Sequence, residues 1–179
     1  MKKLLICMML GSSLMAACDG ADNANRLEEE TVATEDTVGA GSQAAAVDTI
    51  LQKVNTVTLR AVGNSIQEVA FEPDTIEVAA GALVKLTLVN EGSEQPMVHN
   101  VIFTYRDKYR LVATEGARIG SSGNYTPQDT SLVIAASPMA KPGQTVEMDF
   151  EAPLKPGEYD FVCSYPGHYE RMHGTLIVK

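Results

Sequence analysis

The residues best suited to chemistry lie close together in the last part of the sequence. Cys163, His168 and Met172 place a thiol, an imidazole and a thioether within one ten-residue segment. Soft sulfur ligands combined with imidazole favour copper or zinc over hard cations. A lone buried cysteine is more often an inert core residue, but this spacing of three donor types predicts a metal-binding loop.

A further ligand must come from elsewhere in a chain that has three histidines, His99, His168 and His173. His99 begins a predicted strand and can project into the loop-lined end of a sandwich. His173 follows Met172 directly and should point to the other side of its strand; it would replace Met172 only in a rearranged site. Two His, one Cys and a weak axial Met form the trigonal site of blue-copper electron carriers.

The elements that must position these residues are short strands, which begin at Lys53. Turn signals such as Lys155-Pro156-Gly157 separate segments of β composition or strict alternation. The predicted strands are Val54–Val62, Thr75–Val78, Leu83–Val89, Val98–Tyr105, Leu132–Ala136, Thr145–Phe150, Tyr159–Cys163 and Gly174–Val178. Seven or eight such strands predict an all-β sandwich over residues 53–179. Arg106 to Thr130 does not alternate, and we expect it to leave the sheet as a flap with a short helix near Tyr109 to Gly116.

The first 17 residues read as a secretory signal peptide, because a basic start precedes a short apolar run that ends in small residues. Cys18 then follows Ala16-Ala17, which resembles the lipidation site of bacterial lipoproteins. We expect a lipidated Cys18 that anchors the protein to the periplasmic or cell-surface side of a bacterial membrane. The alternative is ordinary cleavage nearby, which would leave a free thiol. In either case Cys163 is the one cysteine left to the domain, which therefore has no internal disulfide.

Residues 18–52 are rich in Ala, Thr, Glu and Asp and contain no aromatic side chain, which predicts a disordered acidic tether. A helical arm from Arg26 to Val38 is the alternative, although the run Glu28-Glu29-Glu30 disfavours it. The whole chain has a formal net charge of −9. No basic segment suits nucleic acid, so we expect no nucleic-acid partner.

The domain from Lys53 to Lys179 resembles azurin and the auracyanins of the cupredoxin family. Its spacing Cys-x4-His-x3-Met is that of azurin, and Met97-Val98-His99-Asn100 resembles the azurin strand that supplies the first histidine. Further similar segments are Gly63-Asn64, Pro156-Gly157-Glu158-Tyr159 and Gly174-Thr175-Leu176. The resemblance implies a Greek-key β-sandwich that binds one copper ion.

The resemblance also implies a role for each residue around that ion. His99, Cys163 and His168 would be the strong ligands and Met172 the long axial ligand, with a weak fifth contact from the Val98 backbone carbonyl. Asn100 would tie the two ligand segments together. The amides of Asn100 and Tyr165 would donate to the sulfur of Cys163 and so tune the redox potential.

The expected surface for redox partner proteins is an apolar rim around an exposed edge of His168. We assign Met97, Pro166, Gly167 and Tyr169 to this rim. The neighbouring Glu170 and Arg171 make the face more polar than in azurins. We expect a monomer that exchanges electrons with a donor and an acceptor protein.

Two other classes of function compete with electron transfer. Copper storage or delivery would be favoured by exposed Met-rich or His-rich segments, and the sequence has none. Copper enzymes need further histidines for a second centre, and His173 alone is left over. The dinuclear copper site of oxidases needs a second Cys on the loop, where this chain has Gly167. The sequence therefore favours a one-electron carrier over an enzyme.

Overall fold

A computed structural model describes residues 52–179, which form a β-sandwich with one α-helix. The strands in chain order are β1 (Val54–Val62), β2 (Ala70–Glu72), β3 (Thr75–Val78), β4 (Leu83–Asn90), β5 (Ile102–Tyr105), β6 (Ala135–Ala136), β7 (Thr145–Glu151), β8 (Gly157–Val162) and β9 (His173–Val178). Helix α1 (Tyr109–Ile119) and a 3-10 turn (Ser121–Gly123) lie between β5 and β6. The all-β prediction is confirmed.

The strands divide between two sheets. One sheet has the order β2-β1-β4-β7, and the other has the order β3-β9-β8-β5-β6. The pairs β1–β4 and β3–β9 are parallel, and the remaining pairs are antiparallel. Strands β8 and β9 are neighbours, so the ten-residue segment between them forms a loop at one end of the sandwich.

The core fills the space between the sheets and follows from strict alternation along the strands. In β4, Val84, Leu86 and Leu88 are buried while Lys85 points to solvent. Phe103 of β5 packs against residues of both sheets, with its ring 4.7 Å from Phe150 and 5.7 Å from Phe161 between ring centroids. Burial of these apolar side chains is the main stabilising contribution.

A second, smaller cluster lies on the outer face of the five-stranded sheet. Ile102 of β5 and Val162 of β8 point away from the main core and pack against Val112 and Ala113 of α1. Both faces of the ligand-bearing strand β8 are therefore buried from Tyr159 onward. This explains why the sequence there does not alternate: Tyr159, Phe161 and Val162 are apolar, and the buried Asp160 is paired with Arg106 (3.1 Å).

The structure differs from the predicted elements in detail. Residues 52–179 contain nine strands rather than seven or eight, because the three-residue β2 has no readable periodicity. The predicted strand Val98–Tyr105 is shortened to β5, since His99 leaves the sheet and pairs only with Ala140. The predicted strand Leu132–Ala136 is shortened to β6. Helix α1 forms where it was expected and extends three residues further.

No helix within residues 52–179 has both the length and the hydropathy needed to cross a bilayer. The predicted signal peptide, Cys18 and nearly all of the tether lie outside the residues that the structure describes.

Replacing Val162 by Ala should lower the free energy of unfolding of the metal-free protein by about 2 kcal/mol, because it removes two buried methyl groups beneath α1. Val54→Ala is the matched control at a residue that is 51% exposed, and its loss should stay below about 0.5 kcal/mol. Urea denaturation measures both. Equal losses would contradict the packing of α1 on the sheet.

Candidate metal centre

Three ligand atoms from two distant segments of the sequence converge at one end of the sandwich. The sulfur of Cys163 lies 3.9 Å from Nδ1 of His99 and 3.8 Å from Nδ1 of His168, and the two Nδ1 atoms are 3.2 Å apart. A circle through three points with these separations has a radius of about 2.1 Å, which matches metal bonds of about 2.0–2.3 Å to nitrogen and sulfur. All three residues are buried. The triad can therefore hold one metal ion in a trigonal arrangement.

His99 is fixed by its backbone although it lies outside the named strands. Its N–H donates to the carbonyl of Ala140 (3.0 Å) and its carbonyl accepts from the N–H of Ala140 (2.7 Å). The buried amide of Asn90, at the end of β4, donates to the carbonyls of Met97 (2.7 Å) and Ala140 (2.9 Å). Three separate segments are thus joined behind the histidine.

The other ligands lie on the loop that joins β8 to β9. The N–H of Cys163 donates to the carbonyl of Met172 (2.9 Å), which closes the base of the loop. Within it, the N–H of His168 donates to the carbonyl of Tyr165 (3.1 Å), and the N–H of Met172 donates to that of His168 (2.8 Å). Gly167 has a φ of 84°, which favours glycine over a residue with a side chain.

Met172 and His173 are adjacent but differ in environment. Met172 is buried in the main core cluster together with Cys163, where its thioether suits an axial position. The ring of His173 stacks on Tyr109 of α1 with 4.4 Å between centroids, and its Nδ1 lies 3.0 Å from the carbonyl oxygen of Tyr169. His173 is therefore engaged on the α1 side and is not part of the triad.

Burial controls the protonation of the triad. It lowers the pKa of His99 to about 3, with a further contribution from His168, and it lowers the pKa of His168 to about 4. Burial raises the pKa of Cys163 to about 11, although backbone N–H groups of Asn100 and Tyr165 that donate to its sulfur act in the opposite direction. At neutral pH both imidazoles are therefore neutral and the thiol is protonated.

The hydrogen bonding of the two histidines also fits a metal ion. Their Nε2 atoms are buried and find no hydrogen-bond partner within residues 52–179. Their Nδ1 atoms face each other and the sulfur at distances that a central cation would satisfy. Buried polar atoms without partners are costly. A cation bound to both Nδ1 lone pairs would remove that cost for the Nδ1 atoms, while the Nε2 atoms would still find no partner within residues 52–179.

Asn100 links the His99 segment to the Cys163 loop. Its Oδ1 accepts from the N–H of Ser164 (3.0 Å), and its Nδ2 donates to Oγ of Ser164 (2.9 Å). Both residues are buried. The side chain of Asn100 therefore holds the residue after Cys163 in a fixed position relative to His99.

Two expectations about the surface rim are wrong. Met97 is only 2% exposed and belongs to the core, because the hydrogen bond from Asn90 to its carbonyl holds this segment inward. His168 has no exposed edge, because its ring packs between those of His99 and Tyr165, with centroid distances of 4.9 and 4.8 Å.

The remaining rim residues do reach the surface. Pro166 and Gly167 are exposed, and Tyr169 is half-buried. Ile66 is also close to this face, since a Cβ placed on Gly167 would lie 3.8 Å from its Cδ1. Ile66 is 48% exposed.

Sequence reasoning missed Asn90 and Ser164, which hold the two ligand segments. Asn90 was detectable in principle, because it continues the buried face of Val84, Leu86 and Leu88 with an amide in place of an apolar side chain. A polar residue on a core face needs hydrogen-bond partners. No sequence pattern indicated a role for Ser164, because its hydrogen-bond partners are Asn100 and a residue of the flap.

The fold and the buried Cys-His-His triad with its adjacent Met define a protein of the type 1 copper class. The family model of copper binding proteins, plastocyanin/azurin family, matches residues 57–179. The chain belongs to this family, and its cofactor is copper.

Individual relatives agree with the family match. The chain is 36% identical over 120 residues to auracyanin-A of Chloroflexus aurantiacus, which covers 66% of this chain and 72% of that protein. It is 29% identical over 121 residues to an azurin of Pseudomonas fluorescens biotype C, covering 65% of this chain and 94% of that protein.

Solved structures show the same cupredoxin fold. The structure of auracyanin A from Chloroflexus aurantiacus, described as a "blue" copper protein, has a TM-score of 0.63 and 34% identity, and the match covers 70% of this chain and 99% of that one. Dithionite-reduced auracyanin from Roseiflexus castenholzii has a TM-score of 0.63 and 28% identity, covering 71% and 98%.

Copper binding at pH 7 should release about one proton, because the thiol of Cys163 must ionise while both histidines are already neutral. Between the pKa values of about 4 for His168 and about 11 for Cys163, copper affinity should therefore rise about tenfold per pH unit. Calorimetric titration in buffers of different ionisation enthalpy measures the release. Cys163→Ser should release none, and a release of two or more protons would contradict the neutral histidines.

Proposed function

We propose that this protein carries single electrons through a mononuclear type 1 copper centre held by His99, Cys163 and His168, with Met172 as the axial ligand. The observation that carries the proposal is the convergence of one sulfur and two Nδ1 atoms at separations of 3.2 to 3.9 Å in a buried site. Copper supplies the one-electron change between Cu(II) and Cu(I). The chain supplies the donors, excludes water and keeps the donors in place.

Burial of the ligands supports a carrier over an enzyme. A catalytic metal site keeps an open coordination position for water or substrate. Here His99, Cys163 and His168 are each 0% exposed, so a substrate has no access to the metal position. An electron needs no such access, because it can pass through the packed groups that cover the site.

Burial of the ligands also argues against copper delivery, the alternative function considered from the sequence. A carrier that hands copper to another protein must let an incoming ligand reach the ion. Both ligand segments are instead fixed by backbone hydrogen bonds, from Ala140 to His99 and from Cys163 to Met172. Fixed donors also limit the rearrangement that accompanies a change of oxidation state, and this favours rapid electron transfer.

Groups around the triad complete the proposed centre. The carbonyl of Val98 is the candidate for a weak fifth contact, since it immediately precedes His99. The backbone N–H groups of Asn100 and Tyr165 donate to the sulfur of Cys163, and such hydrogen bonds tune the potential of a metal centre.

The proposed docking face for redox partner proteins lies above His168. It consists of Pro166, Gly167 and Tyr169, with Ile66 beside them in place of the buried Met97. Electrons would pass between the buried His168 and the partner through the side chains that cover it. Glu170 and Arg171 are exposed next to it and would add charge recognition to the contact. The protein would act as a monomer, which leaves this face free.

The cellular setting belongs to the same proposal. Residues 1–17 would direct export, Cys18 would carry lipid, and residues 18–52 would tether the domain to the outer side of a bacterial membrane. An acidic, flexible tether would let the domain exchange electrons with more than one membrane partner.

Addition of one equivalent of Cu(II) to the full chain should produce an intense visible band from thiolate-to-copper charge transfer, which disappears on one-electron reduction. Cys163→Ser should abolish the band. Cys18→Ser is the matched control and should retain it. A band that is lost in Cys18→Ser and kept in Cys163→Ser would contradict the assignment of the thiolate.

Competition with a strong copper chelator separates the carrier from delivery. The Cu(I) form should keep its metal over many reduction and oxidation cycles when the chelator is present. Rapid transfer of copper to the chelator from an otherwise folded protein would favour delivery.

A further inference from the structure

We propose that the flap acts as a clamp on the copper centre: the carbonyls of Asn124 and Tyr125 hold Asn100 and Ser164 so that the N–H groups of Asn100 and Tyr165 stay directed at the sulfur of Cys163. The clamp would thereby keep the reduction potential high. This inference rests on the proposed function. It makes Asn124, Tyr125, Ser164 and Gly116 positioning residues, none of which contacts the metal position through its side chain.

The clamp is a closed hydrogen-bond network. Oγ of Ser164 donates to the carbonyl of Tyr125 (2.6 Å) and accepts from Nδ2 of Asn100 (2.9 Å). The second hydrogen of that Nδ2 is donated to the carbonyl of Asn124 (3.2 Å), while Oδ1 of Asn100 accepts from the N–H of Ser164 (3.0 Å). Asn100 and Ser164 are at most 1% exposed. Buried networks of this kind are rigid when every member is satisfied.

The flap holds its two carbonyls in place at a conformational cost. Asn124 and Tyr125 both have left-handed backbones, with φ of 52° and 53°. This conformation is unfavourable for a residue that has a side chain, and asparagine tolerates it better than tyrosine. Such geometry persists where surrounding contacts enforce it. Here the N–H of Tyr125 donates to the carbonyl of Gly120 (2.9 Å), and the Tyr125 ring packs against Tyr165 with 5.2 Å between centroids.

Helix α1 packs closely against Tyr125 and Ser164 at Gly116. A Cβ at this position would lie 2.1 Å from the carbonyl oxygen of Tyr125 and 2.9 Å from Cβ of Ser164. A glycine inside a helix is destabilising relative to alanine. The close approach of α1 to both partners is the structural reason for glycine at this position.

The clamp acts on the sulfur through its immediate neighbours. Asn100 is itself a member of the network, and Tyr165 directly follows Ser164. Their N–H groups place the positive ends of two dipoles at the sulfur. The reduced centre carries one more electron than the oxidised centre, so these dipoles stabilise it preferentially. Loosening the clamp should therefore lower the midpoint potential.

Ser164→Ala is the main test, because it removes the hydroxyl bridge to Tyr125 and leaves the backbone N–H in place. Ser122→Ala is the matched control, since Ser122 is an exposed flap residue outside the network. Gly116→Ala is a second variant, which forces α1 and Tyr125 apart and leaves Ser164 intact. Each variant is compared with the wild-type full chain, both metal-free and loaded with copper.

The metal-free readout is amide hydrogen exchange. In Ser164→Ala and Gly116→Ala the amides of Asn100 and Tyr165 should exchange at least tenfold faster, while the core amide of Leu86 is unchanged. Acceleration of all three amides together would show only global destabilisation and would overturn the proposal. Ser122→Ala should match the wild type at every amide.

The copper-loaded readout is the midpoint potential, measured beside the visible spectrum. The potential should fall in Ser164→Ala and Gly116→Ala and stay at the wild-type value in Ser122→Ala. An unchanged potential in both clamp variants would overturn the inference while the proposed function stands. A wild-type protein that forms no blue centre would instead refute the proposed function, and the exchange data would still decide whether the clamp holds the two amides.

Discussion

The structure depends on one constraint, which is that a thiol and two imidazoles are buried together and must direct one donor atom each at a common point. Their donor atoms solve this by converging, with the sulfur of Cys163 within 3.9 Å of both Nδ1 atoms. A cation at their centre would replace the hydrogen bonds that each group loses on burial. The surrounding amides and carbonyls then serve to keep the three atoms at that separation.

The sandwich meets this constraint by bringing ligands from two separate chain segments together at one end. His99 lies outside the strands and is held by Ala140 and by the buried amide of Asn90. The other ligands lie on a loop whose base is closed by two adjacent strands. Helix α1 then buries the outer face of the same sheet, so the loop rests on a strand that is packed on both sides. In this respect the centre is a property of the whole domain and not of the loop alone.

The sequence was sufficient for most of the fold and for the metal-binding residues. Alternation in segments such as Thr75–Val78 and Leu83–Val89 was unambiguous, and the Cys163–Met172 spacing is specific because few sites combine these three donors. The depth of burial was not predictable. Whether His168 reaches the surface depends on how the Tyr165 ring packs over it, which no local pattern encodes. The strand β2 is too short to show a period, although its partner β1 is the preceding element. The role of Ser164 depends on Asn100 and Tyr125, which are 64 and 39 residues away.

The separation of the ligands along the chain has a consequence for the order of folding and metal loading. His99 and Cys163 are 64 residues apart, and strands β1–β4 and β3–β9 pair in parallel, so the site depends on contacts of high contact order that form slowly. The complete copper site therefore requires the long-range strand pairing, unlike the zinc site of a small finger domain, whose ligands are close in the sequence. The three donor atoms meet only after both sheets have formed, so the complete metal site is a late product of folding.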